Sequence, residues 1–189
     1  MLDNNDKETL LKLARESITY ALSHGCMIDV SIENYSPALR SEGASFVTLH
    51  NNKQLRGCIG TLSPYRALVT DVAHNAFNAA FHDPRFTSLR PDELQTTHIH
   101  IEVLSPTETI HFKSEIELLD KLRPGVDGLI LRQDGHTGTF LPSVWSQLPE
   151  PEVFLQELKR KAGLNSNYWS DSITIERYTT IAFEEIKPE

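Results

Sequence analysis

Apolar residues recur every three or four positions across residues 6–23, at Leu10, Leu11, Leu13, Ala14, Ile18, Ala21 and Leu22. That period marks an amphipathic helix, and Gly25 supplies a stop. Residues 26–43 have no period and hold Pro37 and Gly43, so they read as irregular. Residues 44–63 read as two strands, the first including Ser45-Phe46-Val47-Thr48-Leu49-His50, joined by a turn at Asn51-Asn52-Lys53-Gln54. Ser63-Pro64 then has the form of a helix start, with serine as cap and proline in the first helical position. Leu68, Val69, Val72, Ala73, Ala76, Phe77 and Ala80 give that helix a broad apolar face to about residue 81.

Asp83-Pro84-Arg85-Phe86 breaks the period and opens a connection, and Pro91-Asp92-Glu93-Leu94 reads as a short turn or helical cap. His98–Leu104 alternates as a strand, with Ile99, Ile101 and Val103 on one face. Residues 114–122 predict a short helix. A hairpin follows, with strands Leu129-Ile130-Leu131 and Thr139-Phe140-Leu141 around the turn Gly135-His136-Thr137-Gly138. Residues 150–162 predict a helix that buries Val153, Phe154, Leu155, Leu158 and Ala162 and ends at Gly163. Residues 172–186 alternate as extended chain. Helices and strands alternate irregularly, with no repeats and no evident linker. The pattern predicts an α+β fold over residues 1–189, with a mostly antiparallel or mixed sheet and flanking helices rather than a doubly wound parallel sheet.

Composition narrows the function classes. At 189 residues, with a formal net charge of −8, the chain lacks the basic footprint of a nucleic-acid or anionic-membrane binder. RNA or nucleotide binding would need a local basic cleft. No apolar run approaches the roughly 20 residues of a transmembrane helix. The polar start Met1-Leu2-Asp3-Asn4-Asn5-Asp6 is unlike a signal peptide. Cys26 and Cys58 are the only cysteines, too few for a disulfide framework. The cytoplasm is the compartment these features predict. Whether the two cysteines can pair is a matter of geometry.

The candidate chemistry centres on Leu55-Arg56-Gly57-Cys58-Ile59-Gly60-Thr61. A cysteine beside a cation can ionise near neutral pH, and the thiolate is the reactive form. On that reading Cys58 is a nucleophile, Arg56 stabilises negative charge, and Gly57 and Gly60 leave room for substrate. A glycine-kinked strand with a buried, inert thiol fits the same residues. On a regular strand Arg56 and Cys58 share a face, which a bulge at Gly57 would alter. Arg85 reads either as an anion clamp oriented by Asp83 or as half of a structural ion pair. His98, His100 and Glu102 share a strand face that could hold a metal, but spacing places no further ligand, so a solvated face is the preferred reading and no metal is assigned. Gly138–Trp145 could wall a pocket, although a core strand with a proline stop is the commoner case. There is no GxSxG, P-loop, GxGxxG or HExxH motif, and no cofactor is assigned.

Leu55–Thr61 and Asp83-Pro84-Arg85-Phe86 resemble the first and second motifs of the AMMECR domain family. Gly125-Val126-Asp127-Gly128-Leu129, Gly138-Thr139-Phe140-Leu141-Pro142 and Lys161-Ala162-Gly163-Leu164 follow in the family's order. The resemblance runs from about residue 8 to residue 185 and is nearest to the bacterial and archaeal branch, AmmeMemoRadiSam system protein A. It implies an α+β fold with a larger and a smaller lobe and a cleft between them. It implies Memo-like and radical S-adenosylmethionine proteins as partners, and no established reaction. The site residues it implies are Arg56, Gly57, Cys58 and Gly60, with Asp83 and Arg85 second. His98 and His100 are not part of the family's pattern, and Ser143 stands where that pattern has a longer polar residue. Two functions follow as expectations: a thiol-dependent enzyme or enzyme subunit, or a non-catalytic partner or scaffold.

Overall fold

The computed structural model describes residues 2–185. Contacts divide the chain into two compact units, 1–104 with 181–189 and 105–180.

The first unit opens with helix α1, Asn4–His24. Asp3 caps it through a reciprocal bond with Asp6, and Gly25 ends it at φ 71°. Two short elements follow in the stretch expected to be irregular: a 3-10 turn at Ile32–Asn34 and the one-turn helix α2, Pro37–Arg40. Strands β1 (Ser45–Asn51) and β2 (Gln54–Gly60), helix α3 (Leu68–Phe81) and strand β3 (Thr97–Leu104) come next. The last strand of the chain, β8 (Thr180–Glu184), completes a sheet of order β2-β1-β3-β8, in which β1 runs antiparallel to both β2 and β3. Val47, Leu49, Ile99 and Ile101 leave one face of the sheet and pack with Leu10, Ile18, Val69 and Val72 of the two long helices.

The β1–β2 turn places Asn52 at φ 49° and Lys53 at φ 67°, the left-handed pair that a two-residue hairpin loop requires. Asparagine tolerates this backbone, whereas lysine adopts it at a cost of roughly 1 kcal/mol. Lys53→Gly should therefore stabilise the fold by about 0.5–1 kcal/mol. Urea denaturation checks this, and an unchanged midpoint would refute it.

One expected element is misplaced. The helix foreseen at Ser63-Pro64 starts four residues later, because residues 61–67 are held by other partners. Gly43 donates to the Arg66 carbonyl, Leu68 donates to the Ser41 carbonyl, and Ala67 pairs with Glu42 as an isolated bridge. Asp71, with no exposed surface, accepts from the Thr61 hydroxyl at 2.8 Å and from Arg66 Nε at 2.8 Å. These bonds keep the chain extended through Ala67, at φ −53° and ψ 138°.

The second unit contains β4 (Glu108–Thr109), α4 (Glu115–Lys121), β5 (Gly128–Gln133), β6 (His136–Phe140), α5 (Pro151–Lys161) and β7 (Thr174–Tyr178). Its sheet has the order β4-β7-β5-β6, antiparallel throughout. The β5–β6 turn is Asp134-Gly135, two residues earlier than the pattern predicts, with both residues at positive φ. Its core gathers Leu118, Leu129, Leu131, Phe154, Leu158 and Ile175. Trp145 is a core residue: its ring stacks on Phe154 at 3.7 Å, and its Nε1 donates to the Asp127 carbonyl. Val153, expected in the buried stripe of α5, is 41% exposed. Part of the final extended stretch, residue 186, lies outside the described residues. No described helix is long and apolar enough to cross a membrane.

Candidate functional site

All six candidate residues lie in the first unit. Cys58 sits on β2, an edge strand. The hairpin turn pairs Asn51 with Gln54 and His50 with Leu55; the ladder then slips, and Leu49 faces Gly57. Arg56 is the extra residue of this β-bulge. The slip places Thr48 opposite Cys58, where the turn alone would have set it opposite Gly57. Thr48 in turn faces His100 on β3. Directly opposed residues share a face, so Cys58, Thr48 and His100 form a row across three strands on the face away from the helices. The Thr48 hydroxyl donates to Cys58 Sγ at 3.2 Å.

The outer edge of β2 is closed by the loop after α3. The Cys58 N–H donates to Asp83 Oδ2 at 2.8 Å, and Arg85 Nη2 donates to the Cys58 carbonyl at 3.3 Å. Asp83 also takes two bonds from the Arg85 guanidinium, at 2.9 and 2.7 Å. The pair thus satisfies backbone groups that an edge strand would otherwise offer to another chain. The Arg85 bonds, helped by the Cys58 N–H against the cost of burial, lower the Asp83 carboxyl to about 2.

Arg56 has a different partner. Its Nε and Nη2 donate to the two carboxylate oxygens of Glu93 at 2.8 and 3.1 Å, and these bonds lower Glu93 to about 2. The guanidiniums of Arg56 and Arg85 both lie near the Phe86 ring, 6.0 and 5.5 Å from its centroid. The cation that acts on the thiol is Arg85, not Arg56. Burial pushes the Cys58 thiol up from its ordinary value; the Thr48 hydroxyl and Arg85 pull it back, while Glu102 and Asp83 push it further. The thiol is half-buried and, like Cys26, free.

The space beside both glycines is occupied. A Cβ on Gly57 would lie 2.1 Å from the Ala79 carbonyl oxygen of α3, and one on Gly60 would lie 2.3 Å from the Phe46 ring. These glycines admit the helix and the ring. Thr61, which ends the motif, joins the buried Asp71 network, where Asp71 also accepts from Ser45 and Asn75.

His98, His100 and Glu102 do share a face, but it is not a solvated one. Glu102 is buried, and His98 and His100 expose 16% and 26% of their side chains. His98 Nε2 lies 3.1 Å from Glu184 of β8. Burial lowers the pKa of His100, with Glu184 opposing. Among the described residues no group of three or more His, Cys, Asp or Glu is arranged to hold a metal. A groove of about 970 Å³ is lined by residues of α1, the start of β3 and β8, and none of the six candidates lines it.

The sequence reading missed Thr48, Glu93 and Asp71. Thr48 depends on the bulge. Glu93 follows Arg56 by 37 residues with no periodic signal. Asp71, at i−4 to Asn75, was masked by the apolar face around it.

The family model AMMECR1 matches residues 11–183. The chain belongs to the AMMECR1 family. Archaeal family members resemble it over most of their length. LS215_2104 of Saccharolobus islandicus is 36% identical, covering 100% of this chain and 85% of that protein. MJ0810 of Methanocaldococcus jannaschii is 33% identical, covering 84% and 81%. The crystal structure of uncharacterized protein PH0010 from Pyrococcus horikoshii superposes with a TM-score of 0.88 at 32% identity, covering 94% and 90%. The AMMECR1 motifs therefore correspond here to a clamped edge strand: Cys58 in the strand, with Asp83 and Arg85 across its outer edge.

Proposed function

We propose that this AMMECR1-family chain acts in the cytoplasm as a non-catalytic binding partner of Memo-like and radical S-adenosylmethionine proteins. The observation that carries this reading is the mutual commitment of the motif's charged groups. Arg56 is bound to Glu93, Asp83 to Arg85 and the Cys58 amide, and the remaining influence on the thiol is dominated by burial, which raises its pKa. Such a frame holds a surface in shape and supplies no ready nucleophile. Purified full chain mixed with each partner type at micromolar concentration should form a complex detectable by sedimentation velocity. Absence of a complex with either would overturn the reading.

The thiol-dependent reading keeps two supports, the Thr48 hydroxyl on Sγ and Arg85 beside it, both of which favour the thiolate. Alkylation separates the two. Iodoacetamide at pH 7 should label exposed Cys26 about tenfold faster than Cys58, and Cys58 labelling should rise with pH past the free-thiol value of about 8.5. Rapid Cys58 labelling with a midpoint below that value would favour the enzyme.

A further inference from the structure

In the second unit, α4 and the residue that ends it turn Leu118 and Leu122 into the core, while Ile116 is left 74% exposed. Two positions along a helix point to different sides, so Ile116 is free of the packing that fixes its neighbour. The start of α5 behaves likewise: Phe154 and Leu155 are buried and Val153 faces out. Between the two helices lies a groove of about 480 Å³ with Ile116, Leu119, Pro151 and Val153 as its apolar lining. Every charged residue on its wall is an acid: Asp120, Glu150 and Glu152. All three are exposed, and among the described residues none of their carboxylates has a hydrogen bond or ion pair. Elsewhere on the same helices the charges are matched, as in Lys121–Glu117, Arg160–Glu157 and Lys159–Glu115. A groove with apolar walls and a rim of one sign is complementary to a segment that carries apolar side chains and the opposite charge.

We infer that this groove docks a basic amphipathic segment of a partner protein, one or two apolar side chains entering between α4 and α5 with lysines or arginines over the acidic rim. The inference rests on the partner reading above and gives that partner's chemistry. The small groove fits a transient contact of micromolar strength, with Ile116 as the anchor.

The probe is a short labelled leucine–lysine peptide with helical spacing, titrated against the full chain by fluorescence anisotropy. Micromolar binding is expected, with no binding of the leucine–glutamate counterpart. Ile116→Ser should weaken it roughly fivefold or more, and Glu150→Lys with Glu152→Lys about tenfold. The chain carries a net charge of −8, so Glu8→Lys with Glu16→Lys on α1 makes the same charge change at residues that do not line the groove. An equal loss in that variant would mean attraction to net charge alone and would overturn the proposal. So would a concentration-dependent dimer abolished by Ile116→Ser, which would assign the groove to a second copy. The partner complex is measured in parallel. If it forms equally with wild type and Ile116→Ser, the groove assignment falls and the partner reading stands. If no complex forms with wild type, the partner reading falls while the titration still reports on the groove.

Discussion

Gly57→Ala should cost about 3 kcal/mol or more, enough to lower the thermal midpoint by several degrees or abolish soluble expression. The added Cβ would lie 2.1 Å from the Ala79 carbonyl oxygen and 3.0 Å from its carbonyl carbon. Neither neighbour is a flexible side-chain end that can swing aside. Both are backbone atoms of α3, a helix fixed on its other side by Ala73 and Ala76 in the core and by the Ser17 hydroxyl on the Ala73 carbonyl. Relief would require α3 to lift from β2, taking with it the loop that carries Asp83 and Arg85. Gly60→Ala is the comparison. Its clash, at 2.3 Å, is with the Phe46 ring, a side chain on the face away from the helices that can change rotamer. Gly60→Ala should therefore cost less, on the order of 1–2 kcal/mol. Chemical denaturation of both variants tests the difference. If Gly57→Ala matches wild type in midpoint and slope, the close approach of helix and strand is not what the glycine provides.

The elements with a strong period were legible in the sequence. Leu10, Leu13, Ala14 and Ile18 recur as an α-helix requires and are buried, and Gly25 stops that helix in the left-handed conformation. Ile99, Ile101 and Val103 alternate and are buried on one face of β3. What failed was decided by partners distant in the chain. Ser63-Pro64 has the local form of a helix start, but Asp71 and the pairing with residues 41–43 hold that stretch extended. Arg56 precedes Cys58 by two residues, which made it the natural cation for the thiol. A one-residue bulge and Glu93 take it elsewhere, while Arg85, far off in sequence, supplies the charge. Val153 falls in the apolar stripe of α5 by spacing, yet it is left 41% exposed. Period locates a face; it does not say whether anything is packed against it.

Asp83→Asn should destabilise the protein by about 2 kcal/mol at pH 7 and by almost nothing at pH 2. Asp83 is buried and accepts from the Cys58 amide, the Arg85 amide and the Arg85 guanidinium. These donors favour the carboxylate and hold its pKa at about 2 against an ordinary 3.8. A carboxyl depressed on folding contributes stability that is complete above its unfolded pKa. That stability is lost as the pH falls through the folded value, here between about 4 and about 2. Asparagine has the shape of the carboxyl group and, like the protonated acid, carries no charge, so wild type and variant should converge as Asp83 protonates. Glu93→Gln is the matched case, since Arg56 holds Glu93 at about 2 as well, and its penalty should vanish over the same acid range. Urea denaturation of wild type and both variants at pH 7, 4 and 2 gives the result directly. A penalty that persists undiminished at pH 2 would mean the loss is one of packing rather than charge. Asp83 would then be a shape-filling group beside Cys58 and not the carboxylate clamp of the strand edge.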